Sequence, residues 1–266
     1  MQDMAIGAAP RPHAAPVAGG AARAPDTAAP VRMQARAAGA LWLGVVATGL
    51  FAVLAQTGVV VRGDAAATAA RLEASETLFR LGFASNLLAG ALYLGVTVLL
   101  YALLRPAGPG VSRLAASLGV AGVAAGTAAS LLGLAPLLLL GGEPYLAAIP
   151  PGQAEALALA LLGLQGQGAG GGMAFFGFQC VLLGWLAARS GFLPRALGVL
   201  LAVGGASYVV SSFAAFVAPA FGAALSPFIL PAALVGEGSL AVWLVWKGVD
   251  VPRWMERARA ASAFHP

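Results

Sequence analysis

Charge is scarce in this 266-residue chain: Asp, Glu, Lys and Arg together make up 9% of it. A soluble globular domain carries about 25%, so these residues cannot supply a water-facing surface. The single cysteine, Cys180, excludes an intrachain disulfide. Both histidines, His13 and His265, lie in the end segments. A metal centre or a Cys–His nucleophile pair therefore has almost nothing to build from. No catalytic residue, metal or cofactor is expected. The formal net charge of +5 is spread over short connections and tails rather than gathered on one face, which argues against a nucleic-acid partner.

Apolar residues are what the chain has instead. They make up 60% of it, and the mean hydropathy is +0.87. Apolar runs recur at about 37–58, 80–104, 113–140, 169–188, 196–218 and 225–247. Each is long enough to cross a hydrocarbon core of about 30 Å as a helix. The expected fold is all-α, a polytopic bundle of six transmembrane helices over residues 37–250, with the lipid bilayer as its partner. Residues 1–36, rich in Ala, Pro, Gly and Arg, are expected to be a disordered tail. Residues 251–266 form a short basic tail.

Six crossings put 12 of the 15 Lys and Arg residues on one side, leaving only Arg62, Arg71 and Arg80 on the other. By the positive-inside rule both termini are expected to be cytoplasmic. Val53-Leu54-Ala55 has the small residues of a signal-peptidase site, but an even count needs the first helix kept. In the first outer loop, Asp64 is placed to cap a surface helix and Glu76 to pair with Arg80 at i,i+4. Trp42, Trp185, Trp243 and Trp246 lie near inner helix ends, where an aromatic belt is expected. Trp254 is expected to rest on the inner leaflet.

Five glycines crowd Gly166 to Gly172. In water each costs a helix about 1 kcal/mol relative to alanine. In lipid, small residues let helices approach closely, and Gly168-x-x-x-Gly172 and Gly122-x-x-x-Gly126 fit that pattern. Tight internal packing, a hinge and a dimer contact are the alternatives. Pro151 is placed to open a helix running into the fourth span, which then exceeds one crossing. A lip outside the membrane or a break at the glycines is expected there.

The stretches "GDAAATAARLEASETLFRLGFASNLL", "FFGFQCVLLGWLAARSGFLPRALGVLLAVGGASYVV" and "GEGSLAVWLVWKGV" resemble a bacterial family of integral membrane proteins, the domain of unknown function numbered 4386. The resemblance covers about residues 37–250. It implies a six-helix domain of the bacterial cytoplasmic (inner) membrane and no particular activity. Members often carry histidines near Gln165 and Gln179. This chain does not, which puts chemistry needing an imidazole in doubt.

Within "LPAALVGEGSLAVWLVW" stands Glu237, the one acidic residue inside a span. A carboxylate at the bilayer centre costs about 2.5–3.5 kcal/mol on insertion scales, so it must face the bundle interior and find partners. Counting about 1.5 Å per residue from the inner-side basic residues puts Glu237 and Gln179 about 15 Å deep, Tyr93 about 18 Å and Tyr208 about 20 Å. These four form a candidate polar layer. Ser207 and Ser211 lie close to it, and Asn86 and Arg80 lie nearer the outer surface. Arg80 either reaches the outer interface or turns inward toward Glu237. Two functions compete for the layer: handling of a small solute or proton by Glu237 through an outward-opening cavity, or helix packing in a structural or accessory protein. An intramembrane enzyme is the weakest alternative.

Overall fold

The computed structural model describes residues 28–263. Among these, the regular elements are all helical. The first helix, α1, runs Ala28–Gln56 and starts nine residues before the expected boundary at 37. The reason is visible in the spacing. Val31, Ala35, Ala38 and Trp42 fall at i, i+4, i+7 and i+11, and all four are buried. What looked like the end of a tail is the first two turns of a helix with one apolar face. The rest of the expected tail, 1–27, lies outside the described residues.

Asp64 caps α2 (Ala65–Ala74), its side chain accepting from the Ala67 N–H at 2.8 Å, as its position suggested. After Ser75 the chain enters α3 (Glu76–Leu104), then one 3-10 turn over Arg105–Ala107. The third crossing is split. It consists of α4 (Pro109–Leu132) and α5 (Ala135–Leu140). Pro136 has no N–H for the carbonyl of Leu132, and its ring crowds the preceding turn. The backbone passes from α4 to α5 through tighter bonds, Gly133 N–H to Ser130 O and Leu134 N–H to Leu131 O.

The fourth crossing is a 40-residue helix, α6 (Pro151–Ser190). It does not break at the glycines. Gly168 packs on Ala129 and Gly172 on Gly122 and Gly126 of α4, so close interhelix contact outweighs poor propensity. At about 1.5 Å per residue α6 is about 60 Å long, roughly twice the hydrocarbon core. Its early turns are walled by α2 and α5 around Val59, Leu72, Phe79, Leu137 and Leu162. Gly191, in the left-handed region at φ +78°, ends it. Two more crossings follow, α7 (Arg195–Val217) and α8 (Pro219–Trp246), and then α9 (Val251–Ala263). Proline opens α4, α6 and α8, where a missing N–H costs nothing.

The spans pack in chain order: α1 on α3, α3 on α4, α4 on α6, α6 on α7, α7 on α8, and α8 back on α1. The ring is closed. Among the described residues, six helical segments, with α4 and α5 taken together as one, are long and apolar enough to cross a membrane. Large apolar side chains such as Leu88, Val98, Val203 and Phe213 face outward from them. The chain is a multi-pass membrane protein whose outer surface contacts lipid. The basic tail is not a loose end. In α9, Val251 is buried and Trp254 and Met255 are partly buried, while Arg253, Arg257 and Arg259 are exposed. The indole N–H of Trp254 donates to Leu103 O at 2.8 Å, and Arg257 donates to Arg189 O at 3.3 Å. Trp254 is thus seated on protein rather than simply resting on a leaflet.

Candidate functional site

Two close approaches bring helices to either side of Glu237. On α1, Gly39 faces the backbone of α8; a Cβ there would stand 2.6 Å from Ala241 O. On α8, Gly236 faces α7; a Cβ there would stand 2.7 Å from Leu200 O. Glu237, the next residue, is 7% exposed. Its carboxyl group lies between α1 and α7. The Trp42 indole N–H donates to Oε2 at 3.0 Å, and the Tyr208 hydroxyl donates to Oε1 at 2.9 Å. The ion pairs among the described residues, Arg80–Glu76 and Arg253–Asp250, lie elsewhere. Glu237 is therefore held by two neutral donors.

A second polar pair lies across the ring interior. The Tyr93 hydroxyl on α3 donates to Gln179 Oε1 on α6 at 2.7 Å, and Gln179 Nε2 donates to Thr97 Oγ1 at 3.3 Å. Tyr93 and Gln179 are 3% and 1% exposed. Gly119 on α4 makes the room, since a Cβ there would overlap the Gln179 amide. Phe176 separates the pairs. Its ring centroid is 4.6 Å from that of Tyr93 and 5.4 Å from that of Tyr208. The four residues read as one polar layer thus come together as two hydrogen-bonded pairs on either side of a phenylalanine.

The flanking candidates divide. Ser207 bonds back to Gly204 O at 2.7 Å on its own helix, and Ser211 is in neither pair. Asn86 donates to Ser130 Oγ at 2.7 Å, tying α3 to α4. Arg80 pairs with Glu76 at 2.7 Å on the surface, so of its two alternatives the inward one is not taken. Gln165 Nε2 donates to Gln56 Oε1 at 3.2 Å, so Gln165 and Gln179 both serve as interhelix bridges. Trp42 is a correction. It is fully buried and bonded to Glu237 rather than part of an interfacial belt. It lies 14 residues into α1, about 21 Å along the axis. By contrast, Trp185 and Trp246 are exposed, with Arg189 and Lys247 over their rings at 4.8 and 4.7 Å.

Among the clefts on the molecule are three of about 310 to 420 Å³. They are lined by residues at the α9 end, such as Arg105, Arg113, Lys247 and Arg253, and none includes Glu237. The expected outward-opening cavity is not among them. Among the described residues, no three His, Cys, Asp or Glu side chains come together as a metal site would require.

No curated protein and no solved structure matches this chain. The family model described as "Domain of unknown function (DUF4386)" matches residues 37–248, from the second turn-pair of α1 to the end of α8. That match takes in the six-span ring and every member of both polar pairs, and the chain belongs to this family.

Proposed function

We propose that this chain is a six-span protein of a bacterial cytoplasmic membrane, with both termini cytoplasmic, in which Glu237 takes up and releases a proton. One observation carries the reading: the two oxygens of its carboxyl group face chemically different partners. An indole N–H can only donate, whereas a phenol hydroxyl both donates and accepts. With Glu237 ionised, Trp42 and Tyr208 both donate to it. With a proton on Oε1, the Tyr208 hydroxyl rotates to accept that proton while Trp42 continues to donate to Oε2. The carboxyl group keeps two hydrogen bonds in either protonation state, and the cost of exchange falls on the Tyr208 O–H, which gives up its acceptor when Glu237 is protonated. The titratable side chains nearest Glu237 on the elements packed around it are Tyr208 on α7, Tyr93 on α3 and Cys180 on α6.

The test is an infrared pH titration of the protein in lipid. The expected result is a carboxyl C=O band that comes and goes with pH and is missing in Glu237→Gln. Identical titrations of the two proteins would overturn the reading. A second reading, in which the carboxyl group serves packing alone, is favoured by one observation: both its oxygens are occupied and none of the three clefts reaches it.

A further inference from the structure

Two clefts at the α9 end share a wall. One, of about 330 Å³, is lined by apolar groups including Ala102, Pro106, Trp254 and Ala258, together with Arg105. The other, of about 310 Å³, is lined by Tyr101, Arg105, Pro109 and Arg113. Arg105 and Pro109 border both. The two arginines are exposed, and among the described residues no acidic side chain lines either cleft and neither arginine is in an ion pair. Pro109 also begins α4, whose positive dipole end adds to the field of the guanidinium groups. The Trp254 indole N–H is already occupied by Leu103 O, so the ring contributes apolar surface.

We propose that these clefts bind one anionic glycerophospholipid from the adjacent leaflet. Its phosphodiester lies between Arg105 and Arg113, and its glycerol and upper acyl region lie against Ala102, Pro106 and Trp254. Guanidinium groups bind phosphate oxygens in paired, charge-assisted bonds, and basic pockets between spans at a membrane surface suit such head groups. A zwitterionic lipid would bring a cation of its own into a cleft with no acid to receive it. A free phosphate would make no use of the apolar wall. The proposal depends on the chain lying in a bilayer, not on the protonation of Glu237.

The test uses the full chain in mild detergent and native mass spectrometry, which counts bound lipids. Phosphatidylglycerol should be retained at least tenfold over phosphatidylcholine. Arg105→Gln with Arg113→Gln should lower that retention at least tenfold, and Arg80→Gln, at the far end of α3, should leave it unchanged. Both cleft arginines are exposed, so the double variant should keep the wild-type melting temperature; Arg113→Gln alone, with a smaller loss, gives the same reading. Undiminished retention by the double variant would overturn the proposal, as would equal retention of the two lipids. Displacement of phosphatidylglycerol by equimolar inorganic phosphate would make this a phosphate site and overturn it as well.

Discussion

At the scale of single residues, Trp42 and Glu237 are bound to each other by what each lacks. Trp42 has one donor and no acceptor, and Glu237 in lipid has no water to share. Replacing Glu237 by leucine leaves the Trp42 indole N–H buried without a partner, at a cost of about 1–3 kcal/mol. Glu237→Gln keeps an acceptor for Trp42 and offers an N–H to the Tyr208 oxygen. Its cost should stay near the 0.6 kcal/mol average of interhelix bonds in membranes. Unfolding in mixed micelles checks the order, and leucine and glutamine variants of equal stability would show that the contact contributes nothing. Glu237 was legible in the sequence because it is the one acid in an apolar span. Its partner Tyr208 was legible from depth. Trp42 was misplaced because its depth depends on where α1 begins, and the polar Arg32 and Arg36 hid the buried face formed by Val31, Ala35 and Ala38.

Between elements, the same glycine has opposite effects depending on what faces it. Gly177 and Gly184 on α6 lie seven residues apart, as do Gly198 and Gly205 on α7, and they meet in antiparallel register. A Cβ on Gly184 would stand 2.5 Å from Gly198 O, and one on Gly177 would stand 2.7 Å from Gly205 O. Gly184→Ala must therefore push α6 off α7, at about 1–3 kcal/mol. Gly170, four turns earlier on α6, has nothing within 4 Å of such a Cβ. Gly170→Ala should stabilise the helix by up to about 1 kcal/mol. Thermal melts of the two variants should thus shift in opposite directions, and a matching drop in both would mean that the glycine run is needed for its flexibility. The crossings themselves were legible from hydropathy, and tight internal packing at Gly122, Gly126, Gly168 and Gly172 was one of the alternatives their four-residue spacing offered. The α6–α7 contact was not, because seven-residue spacing between two helices shows only once their register is known. For α6 the sequence left a lip outside the membrane and a break at the glycines as alternatives, since helix propensity alone argues for the break that packing on α4 prevents.

For the whole molecule, ring closure decides topology. Because α8 returns to α1 and α9 lies against the end of α3, the first and last described helices begin and end at one end of the bundle. That end also carries Arg105, Arg189, Lys247 and Arg253, whereas α2 and the Glu76–Arg80 pair lie at the other end. Charge placed this way resists translocation of the α9 end, which should keep it in the cytoplasm. The prediction is specific to three exposed positions, Ala29, Ala66 and Ser262. With the buried Cys180 replaced by serine, a cysteine at 66 should react with a membrane-impermeant maleimide in intact cells. Cysteines at 29 and 262 should react only after the membrane is opened. Labelling of 29 and 262 from opposite sides would contradict the closed ring itself. Labelling of both from outside would keep the ring and reverse its orientation, placing the Arg105–Arg113 clefts in the outer leaflet.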